Sequence, residues 1–278
     1  VGKQNTTPVD VDVVPSIKVG ETQVISVTVN NINATGNVTI NIDGVNYTAP
    51  LKDGKANFTT PVLASGNHTV NVIYDGDKNL TGSWTSATFE VTKLDAPLDV
   101  EISNSTVGGK QTITVTVPQN ATGQVLIDIN DKPYYANITD GKAVLVLDSL
   151  PADDYTVNVT YLGDENYTGG SDFATFKVNK NNSTLDIATQ DIAAGDNEVI
   201  IFNVPEDATG NITVKVNGQT YTVPVSGGKG ELIVPGLGAG NYTVEATYNG
   251  DDKYESSTTS TKFEVEKEIN TLEEKEKT

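Results

Sequence analysis

Three stretches of the sequence combine an aromatic residue, a glycine and carboxylates at one fixed spacing, and such a combination could hold a metal ion. They are YDGDKNLTGSW, YLGDENYTGGS and YNGDDKYESST, which begin 87 residues apart at Tyr74, Tyr161 and Tyr248. Calcium requires six to eight oxygen ligands, but only one carboxylate recurs at the same place in every stretch. The recurring carboxylates are Asp77, Asp164 and Asp251.

A turn is the simpler interpretation of the same three stretches. Each recurring aspartate follows a glycine, just after an alternating segment that ends in tyrosine. Glycine adopts positive φ at little cost, and aspartate hydrogen-bonds the backbone two residues further on. The pattern therefore predicts a turn and no cofactor. A weak calcium site, completed by backbone carbonyls and a carboxylate from a domain junction, is the alternative.

Residues for catalysis are scarce in this sequence. It contains no cysteine, and its single histidine is His68, which excludes thiolate metal sites and leaves one imidazole. There is no G-x-S-x-G motif, and the glycine-rich SGGKGE segment lacks the serine or threonine of a phosphate-binding loop. We therefore predict no catalytic residue, no metal ligand and no enzymatic activity.

The charge balance excludes another group of functions. The chain has 37 acidic and 18 basic residues, a net charge of −19, which repels nucleic acid and anionic membrane. No apolar run approaches the ~18 residues that span a bilayer, so we expect no membrane contact within this segment. The sequence contains no methionine, and we interpret it as a processed chain or as part of a longer protein.

The whole sequence is organised as three copies of one unit. The three segments 34–93, 121–180 and 208–267 align without a gap. Their apolar residues alternate with period two, as in strands with one buried face. The predicted fold class is all-β, with three tandem immunoglobulin-like sandwiches forming an elongated rod. The predicted domains are 1–94, 95–181 and 182–267, followed by a charged linker or tail at 268–278.

Turn residues support this strand pattern. Asp43-Gly44 and Asn217-Gly218 stand between alternating runs and predict two-residue type I′ hairpins. The second copy has Asp131-Lys132-Pro133 in that region, so we expect its turn to differ.

The segments LASGNHTVNVIYDGDKN, LPADDYTVNVTYLGDEN and LGAGNYTVEATYNGDDK resemble the closing strands of bacterial Ig-like repeats, as found in tandem in adhesin-like surface proteins of methanogenic archaea. The resemblance covers all three copies. It implies an immunoglobulin-like sandwich displayed on a cell surface, without catalytic activity. The first copy departs from the pattern, with His68 in place of a tyrosine and Leu80 in place of an aromatic residue.

Tyrosine at one recurring place predicts a tyrosine corner, in which the phenol hydrogen-bonds back to the chain near the start of strand F. Tyr155 and Tyr242 occupy this place. We expect a ring nitrogen of His68 to do the same in the first copy.

Three aromatic residues do not recur and are the candidates for ligand contact: Trp84, Phe173 and Tyr135. A dedicated module that binds a glycan or a protein, with a loop site near Trp84 and Phe173, is therefore the alternative function. The predicted partner is an unidentified cell-surface protein or glycan, and the chain is predicted to be a monomer.

Asparagine supplies the last signal, because sixteen N-x-S/T sequons occur in the chain. Chance would give only about five from the content of asparagine, serine and threonine. Strand alternation explains part of this excess, and selection for glycan acceptors explains the rest. The nine candidate glycosylation sites are Asn37, Asn46, Asn57, Asn79, Asn137, Asn158, Asn166, Asn211 and Asn241. Together with the resemblance, they predict an extracellular, surface-exposed adhesin-like segment whose repeats serve as a stalk, with an adhesive surface as a second role.

Overall fold

A computed structural model describes residues 2–5 and 9–268 of the chain. Within these ranges the secondary structure is strand and turn, with no α-helix. In the same ranges, no helix long and apolar enough to cross a membrane is found. The predicted all-β class is confirmed, whereas the predicted tail at 268–278 lies, from residue 269 onward, outside the described residues.

The first copy contains eight strands in two sheets. They are β1 (Asp10–Asp12), β2 (Ser16–Lys18), β3 (Val24–Thr28), β4 (Asn37–Ile42), β5 (Val45–Pro50), β6 (Lys55–Thr59), β7 (Gly66–Gly76) and β8 (Thr81–Thr92). One sheet has the order β1-β3-β6 and the other the order β2-β8-β7-β4-β5. All neighbours pair antiparallel except β2 and β8, which pair in parallel.

The second copy repeats this strand sequence. Its strands are β9 (Asp99–Ile102), β10 (Ser105–Thr106), β11 (Gln111–Thr116), β12 (Gln124–Ile129), β13 (Lys132–Thr139), β14 (Lys142–Leu147), β15 (Asp153–Tyr161) and β16 (Gly170–Asn179). Strand β12 pairs with β13 and β15, and β10 pairs in parallel with β16. An additional hairpin contact joins β13 to β14 through Ile138 and Ala143.

The third copy has the same two sheets as the first. Its strands are β17 (Asp186–Ala188), β18 (Ile192–Ala193), β19 (Glu198–Asn203), β20 (Asn211–Val216), β21 (Gln219–Pro224), β22 (Lys229–Val234), β23 (Gly240–Tyr248) and β24 (Ser257–Glu266). Their orders are β17-β19-β22 and β18-β24-β23-β20-β21. A repeated sequence therefore produces a repeated strand set.

The cores form from the inward side of the alternating strands. In the first copy, Ile25, Val27, Ile40 and Val72 are at most 1% exposed and lie in one apolar cluster with Phe89. Ile200, Phe202, Val214 and Val244 occupy the equivalent cluster of the third copy. Burial of this apolar surface stabilises each sandwich by about 25 cal/mol per Å². The alternation of apolar residues with period two therefore predicted the buried face of these strands correctly.

The hairpin turns confirm two predictions and correct one. Asp43-Gly44 and Asn217-Gly218 have positive φ at both residues, as a type I′ turn requires. In the second copy, Asn130 and Asp131 also have positive φ, of 47° and 64°, and the flanking Ile129 and Lys132 are paired. The expectation of a different turn at Asp131-Lys132-Pro133 is therefore wrong, because asparagine and aspartate tolerate the left-handed region in place of glycine.

The chain forms two compact units, and their border passes through the second copy. This division does not follow the repeat length. The domain boundaries at residues 94, 181 and 267 therefore stay a prediction.

Candidate functional site

The recurring aspartate forms the centre of one polar cluster in each copy. In the third copy, Oδ1 of Asp251 accepts hydrogen bonds from the backbone N–H groups of Lys253 and Tyr254, both at 2.7 Å. Its Oδ2 accepts the N–H of Thr209 at 2.8 Å and the hydroxyl of Thr209 at 3.2 Å. A carboxylate offers about four lone-pair positions, so all of them are occupied by protein donors. We call this arrangement the aspartate clamp.

The clamp recurs in the other two copies with the same donors. Asp164 accepts from Asn166, Tyr167 and twice from Thr122 at 2.7–3.0 Å. The first copy uses Asp77 with Asn79, Leu80 and Thr35 in the same way. Each clamp joins the turn at the Tyr-x-Gly-Asp segment to the loop that precedes β4, β12 or β20.

Hydrogen bonding to the ionised form lowers the pKa of these carboxylates. Partial burial alone would raise the pKa of Asp164, but hydrogen bonds from Thr122, Asn166 and Tyr167 outweigh it and lower the pKa to about 2. The pKa of Asp251 is likewise lowered to about 2, with Thr209, Lys253 and Tyr254 as donors against the same opposing effect of burial. Asp77, bonded above all by the N–H of Asn79, also has a pKa well below its usual range.

The tyrosine of the same motif lies beneath the clamp and fixes the same loop. Tyr74, Tyr161 and Tyr248 are at most 1% exposed. Each hydroxyl donates to the carbonyl oxygen of the clamp threonine, at 3.2, 2.9 and 2.7 Å respectively. Burial is the main cause that raises the pKa of Tyr161 and Tyr248 to about 12. These phenols are therefore structural donors and not exposed acids or bases.

The glycine before the aspartate is required by space as well as by backbone angle. At Gly163 φ is +84°, and a Cβ would lie 2.6 Å from the carbonyl oxygen of Tyr167. The corresponding distances at Gly76 and Gly250 are 2.5 and 2.7 Å. The predicted turn is confirmed at all three places.

This geometry bears on the calcium alternative. The lone pairs of the clamp aspartates are already taken, and in the described residues no group of three or more histidine or acidic side chains could hold a metal ion. Near Asp164, the ammonium of Lys93 donates to the backbone carbonyl of Asp164, and the hydroxyl of Ser65 donates to that of Glu165. A lysine ammonium at this carbonyl opposes the binding of a second cation there.

The predicted tyrosine corners are present. The hydroxyl of Tyr155 donates to the carbonyl of Pro151, and that of Tyr242 to the carbonyl of Gly238, both at 2.8 Å. Each ring stacks on a core phenylalanine, Phe176 or Phe263. His68 replaces them in the first copy as predicted, with Nε2 at 2.7 Å from the carbonyl oxygen of Ala64.

His68 has an additional partner that the sequence analysis missed. Its Nδ1 lies 2.5 Å from Oδ2 of Asp43, the first residue of the β4–β5 turn. Burial alone would lower the pKa of His68, but the hydrogen bonds to Asp43 and Ala64 outweigh it, so the pKa is raised. Both ring nitrogens face oxygen acceptors, which favours the doubly protonated imidazolium.

The three candidate contact residues are all exposed, at 71% for Trp84, 65% for Tyr135 and 59% for Phe173. None is in a loop: Trp84 lies in β8, Tyr135 in β13 and Phe173 in β16. The predicted loop site near Trp84 and Phe173 is corrected accordingly, since these side chains belong to the outward side of strands. Their role in binding stays a prediction.

The nine candidate glycosylation asparagines are all exposed. Several lie on outward strand positions, such as Asn158 between the buried Val157 and Val159. Exposure makes them available to a glycosyltransferase, and their occupancy stays a prediction.

Two recurring elements escaped the sequence analysis. One is the clamp threonine, whose signal was its presence in the ATG segment of every copy. The other is a buried polar residue at, or directly before, the first residue of β3, β11 and β19, namely Gln23, Gln111 and Glu198. Gln23 and Gln111 donate Nε2 to the carbonyls of Val14 and Ser103, both at 2.8 Å. Glu198 accepts the N–H of Gln190, and its Oε2 has no partner.

These features define a tandem immunoglobulin-like β-sandwich protein. The profile of the bacterial Ig-like domain (group 3) family matches residues 11–92 and 180–266. The chain belongs to this family.

Solved structures to which the chain is similar include the fibronectin(III)-like modules of Clostridium thermocellum CbhA, with 13% identity and a TM-score of 0.28, covering 62% of this chain and 95% of that one. The Sidekick-1 immunoglobulin domains 1–5 share 13% identity at a TM-score of 0.33, covering 96% of this chain and 61% of theirs. The I9–I11 tandem of titin shares 12% identity at a TM-score of 0.29, and the match covers 94% of this chain and 100% of the titin tandem. No curated protein matches the chain. None of these likenesses bears on function.

Proposed function

We propose that the chain is a non-enzymatic, surface-exposed segment of an adhesin-like protein, in which the Ig-like copies act as a stalk. The observation that carries the proposal is the aspartate clamp. In every copy the recurring tyrosine, glycine and aspartate hold a loop in place through internal contacts. The polar residues that recur most regularly therefore have a structural role, and they leave no set of convergent reactive groups in the clamp.

Two further observations support the surface location. Bacterial Ig-like domains, the family of this chain, are typically extracellular or exposed on surfaces. The nine candidate sequon asparagines are exposed to solvent. A stalk with three independent domains at 1–94, 95–181 and 182–267, acting as a monomer and possessing glycans, is consistent with both.

Protease treatment of intact source cells tests the location. Antibodies against the purified chain should label unbroken cells, and external protease should remove the label. If the chain is detected only after lysis, the proposal is wrong. Independently, a band that migrates faster in gel electrophoresis after enzymatic deglycosylation would identify attached glycans.

An adhesive role is the second candidate function, and the 71% exposure of Trp84 favours it. Calcium-stiffened junctions between domains remain a third. The occupied lone pairs of Asp164 and the ammonium of Lys93 at its carbonyl oppose that candidate.

A further inference from the structure

The outward face of the sheet formed by β4, β5, β7 and β8 is uncharged over its centre. Alternation places Thr39 and Asn41 of β4, Thr48 of β5, Asn71 of β7 and Ser86 of β8 on this face. The charged side chains of the face are Glu90, near one end of β8, and Asp75, which follows Ile73 by two residues on β7 and is next to it on the same face. In a chain with 20% charged residues and a net charge of −19, a neutral face of hydroxyls and amides is a local departure from composition.

An apolar pair lies on this face, between Asp75 and the uncharged centre. Trp84 of β8 and Ile73 of β7 are direct cross-strand partners, and they are 71% and 41% exposed. Side chains of directly opposed residues on one face are close enough to touch. The pair therefore forms a small apolar platform, which we call the Trp84 platform, with Ser86 and Asn71 one step along the strands.

The fold does not require this platform. In the third copy the equivalent partners are Thr258 and Thr247, whose hydroxyls are 3.0 Å apart. Next to it on the same face, the third copy has the cross-strand pair Lys215 and Glu245. The first copy has Asn41 and Asn71 at the equivalent positions. The equivalent strands of the third copy therefore pair with polar and charged residues at these positions. The apolar pair and its uncharged neighbours are a property of the first copy.

The ligand chemistry follows from these properties. A pyranose ring has apolar C–H faces and a rim of hydroxyls, so it matches an exposed indole surrounded by groups that donate and accept hydrogen bonds. The uncharged centre offers no cation to an anionic ligand, and the carboxylate of Asp75 beside the pair repels one, so a neutral ligand is favoured. Strands spaced about 4.8 Å apart make a four-strand face roughly 14 Å wide, enough for several consecutive sugar rings.

We propose that the Trp84 platform, with Asn71, Ser86 and Thr39 beside it, binds a neutral polysaccharide. This inference deepens the adhesive part of the proposed function and rests on the surface location only for the source of the ligand. Trp84 would stack on one sugar ring while Ile73 extends the apolar contact. Asn71 and Ser86 would hydrogen-bond the hydroxyls of adjoining rings.

The chain offers a direct reporter, because Trp84 is its one tryptophan. Acrylamide quenching of its fluorescence is measured in the full chain, expressed without glycans, with increasing galactomannan or hydroxyethylcellulose. Bound ligands cover most of the surface they contact, so the quenching constant should fall at least about twofold and saturate. Polygalacturonate, an anionic polysaccharide, should leave it unchanged.

Matched variants locate the effect. Trp84→Thr, which introduces the residue of the third copy, should abolish retardation in gels that contain the neutral polysaccharide. Ile73→Thr should weaken the fluorescence shielding while retaining the reporter. Val144→Thr, at an exposed apolar position of β14 in the second copy, should change neither readout, and circular dichroism checks that all variants are folded.

Four outcomes overturn the proposal: no shielding by either neutral polysaccharide, equal shielding by polygalacturonate, equal loss in Val144→Thr, or shielding that grows with protein concentration alone. The last outcome would identify a second copy of the chain as the occupant. Because the measurement uses purified protein, its failure leaves the proposed surface location to be judged separately by the protease experiment.

Discussion

Asp251 and Thr209 are 42 residues apart in the chain, yet one carboxylate oxygen of Asp251 accepts both the backbone N–H and the hydroxyl of Thr209. The other oxygen caps the turn at Lys253 and Tyr254. A single side chain therefore joins two loops at one end of the sandwich. The same contact is repeated at Asp77 with Thr35 and at Asp164 with Thr122.

The clamps predict a loss of stability in acid. The pKa values of Asp164 and Asp251 are lowered from 3.8 to about 2 in the folded chain. A lowered folded pKa contributes stability that is present above pH ~4 and is lost as the pH falls towards the folded value. Thermal unfolding between pH 5 and pH 2 should show falling midpoints over the range from about pH 4 to 2. Midpoints that stay constant over that range would contradict the assignment.

His68 should make the first copy less stable as the pH rises, whereas the clamp aspartates make the chain less stable as the pH falls. Its folded pKa is raised above 6.5, so the stabilisation is complete below pH ~6.5 and is lost as the pH rises through the folded pKa. The unfolding midpoint of the first copy should therefore decrease above pH ~6.5. His68→Tyr, which restores the residue of the other two copies, should remove this dependence while keeping the corner. An unchanged pH profile in the variant would show that another group is responsible.

Gly163 and Gly123 provide a matched pair for the turn. Both have positive φ, but a Cβ would lie 2.6 Å from the carbonyl oxygen of Tyr167 at Gly163, whereas it would meet nothing within 4 Å at Gly123. The left-handed backbone costs a non-glycine residue about 1–2 kcal/mol, and the clash adds to this at Gly163 alone. Urea unfolding should show a larger loss for Gly163→Ala than for Gly123→Ala. Equal losses would mean that the close approach is unimportant.

Glu198 is a position where a substitution should stabilise the chain. It is fully buried, and its Oε2 has no partner, whereas the glutamine of the first copy donates Nε2 to a backbone carbonyl. An unsatisfied buried polar group costs about 1–3 kcal/mol, so Glu198→Gln should raise the unfolding free energy by up to about that amount. The reverse change, Gln23→Glu, should lower it in the first copy. A destabilising Glu198→Gln would show that Oε2 is satisfied in another way.

Local sequence signals were sufficient for much of the fold. The alternation of apolar and polar residues predicted the buried faces of strands such as β3 and β15, and the Asp43-Gly44 dipeptide predicted the β4–β5 hairpin. Both features are determined by residues that are close in the sequence. The Asn130-Asp131 turn was missed because its φ angles do not depend on glycine. The domain boundaries, which were placed from the repeat length, stay a prediction.

Long-range partners were the part that sequence could not supply. The tyrosine corner was predictable because Tyr155 and Pro151 are four residues apart, but Asp43 lies 25 residues from His68. Thr35 and Asp77 are likewise joined only when two loops meet. Trp84 was recognised as non-recurring, yet its strand position and its partner Ile73 depend on register, which a list of aromatic residues does not contain.

The clamp aspartates are expected to fix their loops through hydrogen bonds from the protein alone, without an ion. Calorimetric unfolding of the wild type, Asp251→Ala and Asp252→Ala, each in chelator and in millimolar calcium, tests it most directly. Asp252 is the neighbouring exposed carboxylate and serves as the control. Asp251→Ala should lose about 1–2 kcal/mol through its missing hydrogen bonds, by the same amount in both media, and Asp252→Ala should match the wild type. A wild type that calcium stabilises, with the effect abolished by Asp251→Ala, would contradict the account.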